Sequence, residues 1–174
     1  MVEAPKIRIY YNSIKKFIGR KIDRAIYKKP EYGVFEGKII NDIYYIGKRT
    51  WIVLKSENLV KTYVRIHMFG KVIVNEPYRE RLPQLQLFIG NDTVYFYVPS
   101  IKFFDESNYL ENTIGFQNMD LSHPSYDMTE HIDYVLKNKQ DNTDENICDF
   151  ILDQYLFPGV GNIIKNEGLY LYFY

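Results

Sequence analysis

The stretch "DIYYIGKRTWIVLKS" (residues 42–56) sets β-branched and aromatic residues on either side of a Gly-Lys pair. That composition suits a half-buried pleated strand better than a helix. Five further segments share the texture: "GVFEGKII" (33–40), "KTYVRIHMF" (61–69), "KVIVNE" (71–76), "LPQLQLFIG" (82–90) and "DTVYFYVPS" (92–100). A hairpin turn is read through Gly90, Asn91 and Asp92. Pro83 and Pro99 fall at strand ends, where a missing N–H does least harm. Short strands at this spacing predict an antiparallel β-sandwich spanning about residues 22–104.

Helical spacing appears on both sides of that block. In "KIRIYYNSIKKFIGRKI" (6–22), Ile7, Tyr10, Tyr11, Ile14, Phe17 and Ile18 share one face, and Gly19 stops the run. Beyond the strands, residues 105–125 read as a polar, irregular linker. "MTEHIDYVLKN" (128–138) and "DENICDFILDQYLF" (144–157) then read as helices, and a third begins near Asn162. The expected organisation is an all-β N-terminal domain with a leading helix (1–104), a linker (105–125) and a helical segment (126–174), α+β overall. The turn "PGVGN" (158–162) should open the last helix, with Asn162 as its cap and its backbone N–H groups available to a phosphate.

Composition narrows the function. The net charge is zero, but residues 1–74 hold 16 Lys+Arg against 6 Asp+Glu (+10), and residues 75–174 hold 6 against 16 (−10). The cationic half suits a polyanion, and pairing between the halves is the plain alternative. One cysteine, Cys148, and three scattered histidines exclude an intramolecular disulfide and a four-ligand zinc site of the Cys-x-x-Cys type. Cys148 sits in an apolar helical stretch and is expected to be buried and inert. With no apolar run of membrane-spanning length and no secretory leader, a soluble intracellular protein is expected.

Three motifs carry a resemblance. "MVEAPKIR" (1–8) resembles the start of the Fpg/Nei DNA glycosylases, which reads Met-Pro-Glu-Gly-Pro ahead of an amphipathic helix. "ILDQYLFPGVGNIIKNE" (151–167) resembles that family's helix-two-turn-helix signature. "FEGKIINDIYYIGKRTWIVL" (35–54) resembles its strand pair ending in Gly-Lys before an apolar strand. The motifs stand in family order and cover essentially the whole chain. They are nearest to the branch with Val at position 2, which includes vertebrate Nei-like and giant-virus Nei-like proteins.

The resemblance implies a bifunctional base-excision enzyme that removes oxidised bases from damaged DNA. Its nucleophile would be the α-amine of Val2, exposed once Met1 is removed. An α-amine has a pKa of about 7.7–8.0, against about 10.4 for lysine, so a useful fraction is unprotonated at neutral pH. Attack on C1′ would leave a Schiff base and permit β-elimination. Glu3 matches the family's general acid/base and Lys48 the lysine that reaches the sugar-phosphate. Asn162, Gly159 and Gly161 match its phosphate clamp, with Lys165 one turn on. Met68, in "IHMFGK" (66–71), is the candidate to fill the gap left by a flipped base.

Family members continue into further helices and a zinc finger or a zinc-free mimic, whereas "GLYLYFY" (168–174) is an aromatic tail. The resemblance therefore implies a form shortened before the finger, with no zinc and no other cofactor. Its DNA binding should be weak and suited to single strands. The exposed tail is a candidate for self-association. A nuclear or viral-replication-site location follows if the family role holds. The alternative function is a non-catalytic remnant that binds nucleic acid weakly or only a protein.

Overall fold

A computed structural model describes residues 3–29, 34–67, 70–78, 81–97, 100–113, 118–139 and 146–173. The first helix, α1 (Ala4–Ile14), starts with Pro5 in its first turn, where a missing N–H costs nothing. It buries Ile7, Tyr10 and Ile14 along one stripe, and a 3₁₀ turn (Lys15–Phe17) adds Phe17 to the same face. Gly19 then reverses the chain at φ +84°.

Eight strands follow: β1 (Arg24–Tyr27), β2 (Ile39–Ile46), β3 (Arg49–Lys55), β4 (Lys61–His67), β5 (Lys71–Val74), β6 (Leu85–Ile89), β7 (Asp92–Tyr97) and β8 (Ser100–Phe104). They form two four-stranded antiparallel sheets, ordered β1-β6-β7-β5 and β2-β3-β4-β8. The core lies between them, where Ile52, Leu54, Val64 and Ile66 face Leu85, Leu87, Val94 and Phe96. The N-terminal helix packs Ile7, Tyr10 and Ile14 into this same core. The expected sandwich with a leading helix is the observed architecture.

Four helices complete the described chain: α2 (Glu106–Thr113), α3 (Met128–Asn138), α4 (Ile147–Leu152) and α5 (Asn162–Phe173). The helix expected over 128–138 is found with those bounds. Asp127 caps it by accepting from the N–H groups of Thr129 and Glu130.

Several sequence readings need correction. The supposedly irregular 105–125 segment contains α2, which Asp105 starts by accepting from Asn108 N–H at 2.9 Å. This helix covers the outer face of the second sheet. Tyr109 stacks on Tyr63 with ring centroids 4.0 Å apart and meets Trp51 edge-on at 5.2 Å. Tyr63 donates to Glu106 at 3.0 Å, and burial together with that carboxylate pushes its phenol up to about 12. Strand β3 is therefore buried on both faces, which explains why its sequence lacks polar alternation.

The segment read as a strand over 33–40 enters the ladder only at Ile39, because Val34 and Phe35 lie in a turn that drops Phe35 into the core. Strands β1 and β8 were missed, and "DIYYIGKRTWIVLKS" divides between β2 and β3. Cys148 is half-buried rather than buried, since α4 has only six residues and none of them is buried. The tail residues Leu171 and Tyr172 are 77% and 82% exposed on α5. No helix among the described residues is long and apolar enough to cross a membrane.

Trp51 is the chain's one tryptophan and is 1% exposed. Replacing Tyr109 by alanine should uncover it, shifting its emission to the red. The same change should lower unfolding free energy by about 2–3 kcal/mol in urea melts. Unchanged emission would mean that α2 does not cover this face.

Candidate active site

Glu3 joins two helix N-termini. Its backbone carbonyl accepts from Lys6 and Ile7 N–H at 3.0 and 3.2 Å, which starts α1. Its carboxylate accepts from Ile163 N–H at 2.7 Å and Ile164 N–H at 3.1 Å in the first turn of α5. Those amides have no partner inside their own helix, and the positive end of the helix dipole favours a carboxylate there. The side chain is consequently 6% exposed although it is acidic.

The "PGVGN" turn is shaped around this contact. A Cβ on Gly161 would strike the Glu3 carboxylate. At φ +90°, Gly159 accepts from Ala4 N–H at 3.2 Å, and a Cβ there would lie 2.6 Å from Ala4 Cβ. Opposite it, Gly47 opens the two-residue β2–β3 turn at φ +56°, and its own Cβ would lie 2.9 Å from Gly159 N. The two backbones touch because neither carries a side chain.

Asp120 locks the Gly47 side. It is fully buried, and it accepts from Gly47 N–H at 2.6 Å through one oxygen. The other oxygen accepts from the Ser122 N–H at 2.9 Å and hydroxyl at 2.8 Å. Sequence reading missed this residue because it lies in the presumed linker. The Asp-x-Ser pattern of a side-chain-closed turn was the available signal.

Further along, Gln154 donates to the Leu152 and Val160 carbonyls at 2.9 and 2.8 Å. The buried His131 donates from Nε2 to the Leu156 carbonyl at 2.6 Å. Together these bonds fix the approach to the turn.

Lys48 follows Gly47 in the hairpin. Partial burial pushes its ammonium below the ordinary lysine value, and the Glu3 carboxylate opposes part of that shift. Glu3, Lys48, Gly159 and Gly161 are thus gathered at one place from opposite ends of the chain. Asn162 is the first residue of α5 rather than its cap, and it is exposed. Glu3 takes the Ile163 and Ile164 amides of that first turn, and the phosphate-clamp role expected of Asn162, Gly159 and Gly161 carries forward as a proposal. Lys165 is half-buried beside Ile164 and Leu169 in an apolar groove. Val2 and Met68 lie outside the described residues. No cluster of three His, Cys, Asp or Glu able to hold a metal occurs among the described residues.

Gly161→Ala should lower the unfolding free energy by about 2 kcal/mol or more, because the buried carboxylate cannot yield without losing its amides. Urea melts would read this directly, and wild-type stability in the variant would mean Glu3 sits elsewhere. Lys48 supplies a pH test. Its lowered folded value means the unfolded chain binds more protons between that value and about 10.4, so wild-type stability should rise through this window. Lys48→Met should remove that rise, and its lead over wild type at neutral pH should shrink as pH climbs.

No family model matches the chain. It is 30% identical to endonuclease 8-like L720 of Acanthamoeba polyphaga mimivirus, across 98% of this chain and 70% of that protein. It is 27% identical to endonuclease 8-like 3 of Mus musculus, across 79% of this chain but only 22% of the mouse protein. The fold superposes on the crystal structure of a viral DNA glycosylase with TM-score 0.86 and 26% identity, covering 97% of this chain and 70% of that one. It also superposes on Lactococcus lactis Fpg in complex with abasic-site DNA, with TM-score 0.72 and 16% identity, covering 97% and 66%. With that identity to the mimivirus protein over most of both chains, and the same overall fold as the viral glycosylase, the chain belongs to the Fpg/Nei family.

Proposed function

We propose that this chain is a base-excision DNA glycosylase and AP lyase acting through the α-amine of residue 2. The observation that carries the reading is the anchoring of Glu3 on two α5 amides beside a lysine with a lowered pKa. Chain connectivity holds residue 2 within about 3.8 Å of Glu3, measured between Cα atoms.

In this reading the amine nitrogen bonds to C1′ as the N-glycosidic bond breaks, and the base leaves with the bonding pair and takes up a proton. The nitrogen, now cationic, gives up a proton to the Glu3 carboxylate, its freed lone pair forms C=N as the C1′–O4′ bond opens, and O4′ takes up that proton from Glu3. The imine acidifies C2′, and loss of a C2′ proton expels the 3′-phosphate. Lys48 anchors the sugar-phosphate while this happens. Damaged DNA is thus the proposed partner, and single strands are accepted because the chemistry needs only one flipped-out sugar.

Borohydride trapping on a single-stranded oligonucleotide with one abasic site tests the reading, because it reduces the imine to a stable amine. A covalent band is expected with residue 2 free and none with Met1 retained. Its rate should rise with pH through about 7.7–8.0, where the amine loses its proton. Equal trapping with Met1 in place would put the nucleophile elsewhere. Glu3→Gln should reduce single-turnover base release by about 10²-fold or more.

A further inference from the structure

Strand register brings three cations together on the outer face of the second sheet. Arg65 stands directly opposite Lys102 across β4–β8 and opposite Trp51 across β3–β4. Arg49 stands opposite His67, two residues along from Arg65, and is therefore its diagonal neighbour on that face. Like charges facing each other across a ladder destabilise a sheet. Among the described residues none of the three has a carboxylate within ion-pair distance.

Solvation alone accounts for Lys102, which is exposed. It accounts less well for Arg65. That guanidinium lies over the Phe104 ring at 4.8 Å and the Trp51 ring at 5.8 Å, half-buried. Burial, and secondarily the Arg49 charge, lower its pKa. A guanidinium lodged over rings keeps a fork of N–H donors fixed in direction, the geometry that suits phosphate oxygens.

Position connects this group to the candidate active site. Arg49 immediately follows Lys48 in the chain. From Arg49 to Lys102 the row runs diagonally over three adjacent strands, two inter-strand spacings across and two residues along, or about 12 Å. At ~3.4 Å of axial rise per phosphate along one strand, that length spans about four successive phosphates.

We propose that Arg49, Arg65 and Lys102 form a phosphodiester-binding strip that holds the nucleic-acid backbone where it leaves the Glu3–Lys48 site. Assigning the ligand as DNA rests on the glycosylase reading above. The strip contacts phosphates only, so it adds affinity without sequence preference.

The test is fluorescence anisotropy with the full chain and a labelled single-stranded oligonucleotide carrying one abasic-site analogue, titrated from about 50 to 200 mM salt. Arg49→Gln/Lys102→Gln removes two charges and leaves Arg65 on its rings. Lys21→Gln/Lys28→Gln makes the same charge change outside the strip. The strip variant should bind about tenfold more weakly at low salt, with a log–log salt slope shallower by about 1.4. The control pair should keep the wild-type slope. Relief of the Arg65–Lys102 repulsion means the strip variant should melt no lower than wild type, so its lost binding is not lost folding.

Equal slopes in strip variant and control would overturn the proposal. Inorganic phosphate that displaces the oligonucleotide better than chloride at equal ionic strength would reassign the site to a free anion. Borohydride trapping reports on the parent reading separately. A strip-dependent slope without any covalent adduct keeps the strip and overturns the lyase reading, whereas an adduct with control-like slopes overturns the strip alone.

Discussion

The contact on which the rest depends is the one between the Glu3 carboxylate and the first amides of α5, across 160 residues of chain. It satisfies the first turn of α5 and one buried charge at once. Hydrogen bonds to a charged group contribute about 1.5–3 kcal/mol each, more than an ordinary pair. Its geometry also decides which residues fit around it. Gly161 must lack a side chain to admit the carboxylate, and Gly159 must lack one to admit Ala4 and Gly47. The glycine turn is shaped by what approaches it from the other end of the protein.

The sandwich explains how such a distant contact can be held. The N-terminal helix is set by Ile7, Tyr10 and Ile14 in the core, which fixes the angle at which Glu3 leaves it. The β2–β3 turn is set by an antiparallel ladder and by Asp120 on Gly47 N–H. The turn before α5 is set by Gln154 and His131. Each partner is thus immobilised by its own neighbourhood before the three meet. That arrangement is what a proton-transfer site needs, since small displacements of a catalytic group are costly.

How much of this was legible in the sequence depended on range. The strands and α1 were readable because their periodicity is local, and α3 was readable to the residue because Asp127 caps it. The second helix was hidden because its sequence is polar, and its stability comes from Tyr109 lying on Tyr63 and Trp51, residues more than 40 positions away. Phe35 looked like a strand residue because a buried aromatic has the same composition signal in a turn. Motif resemblance brought Glu3, Lys48 and the two glycines into view together, but no local pattern could say that the Glu3 carboxylate sits on the Ile163 and Ile164 amides. Asp120 escaped for the same reason, since its partner Gly47 is 73 residues distant.

The opposite charges of the two halves gain a physical meaning from these contacts. Among the described residues the ion pairs are Lys16–Asp92 and Lys21–Glu57, both well exposed, and only the first joins the halves. Such pairs are screened by solvent and neutralise little of the field. The buried acids near the candidate site are answered by backbone N–H groups instead: Glu3 by Ile163 and Ile164, Asp120 by Gly47 and Ser122. Backbone dipoles therefore stabilise the carboxylates, and among the described residues Lys48 and Arg49 form no ion pair with them, although the Glu3 charge still acts on Lys48. Pairing Lys48 or Arg49 with those acids would have made a quieter fold with no attraction for a polyanion. Satisfying acids by amides lets one small site hold a carboxylate, as the proposed proton transfer requires, and still present a positive surface, as the proposed DNA partner requires.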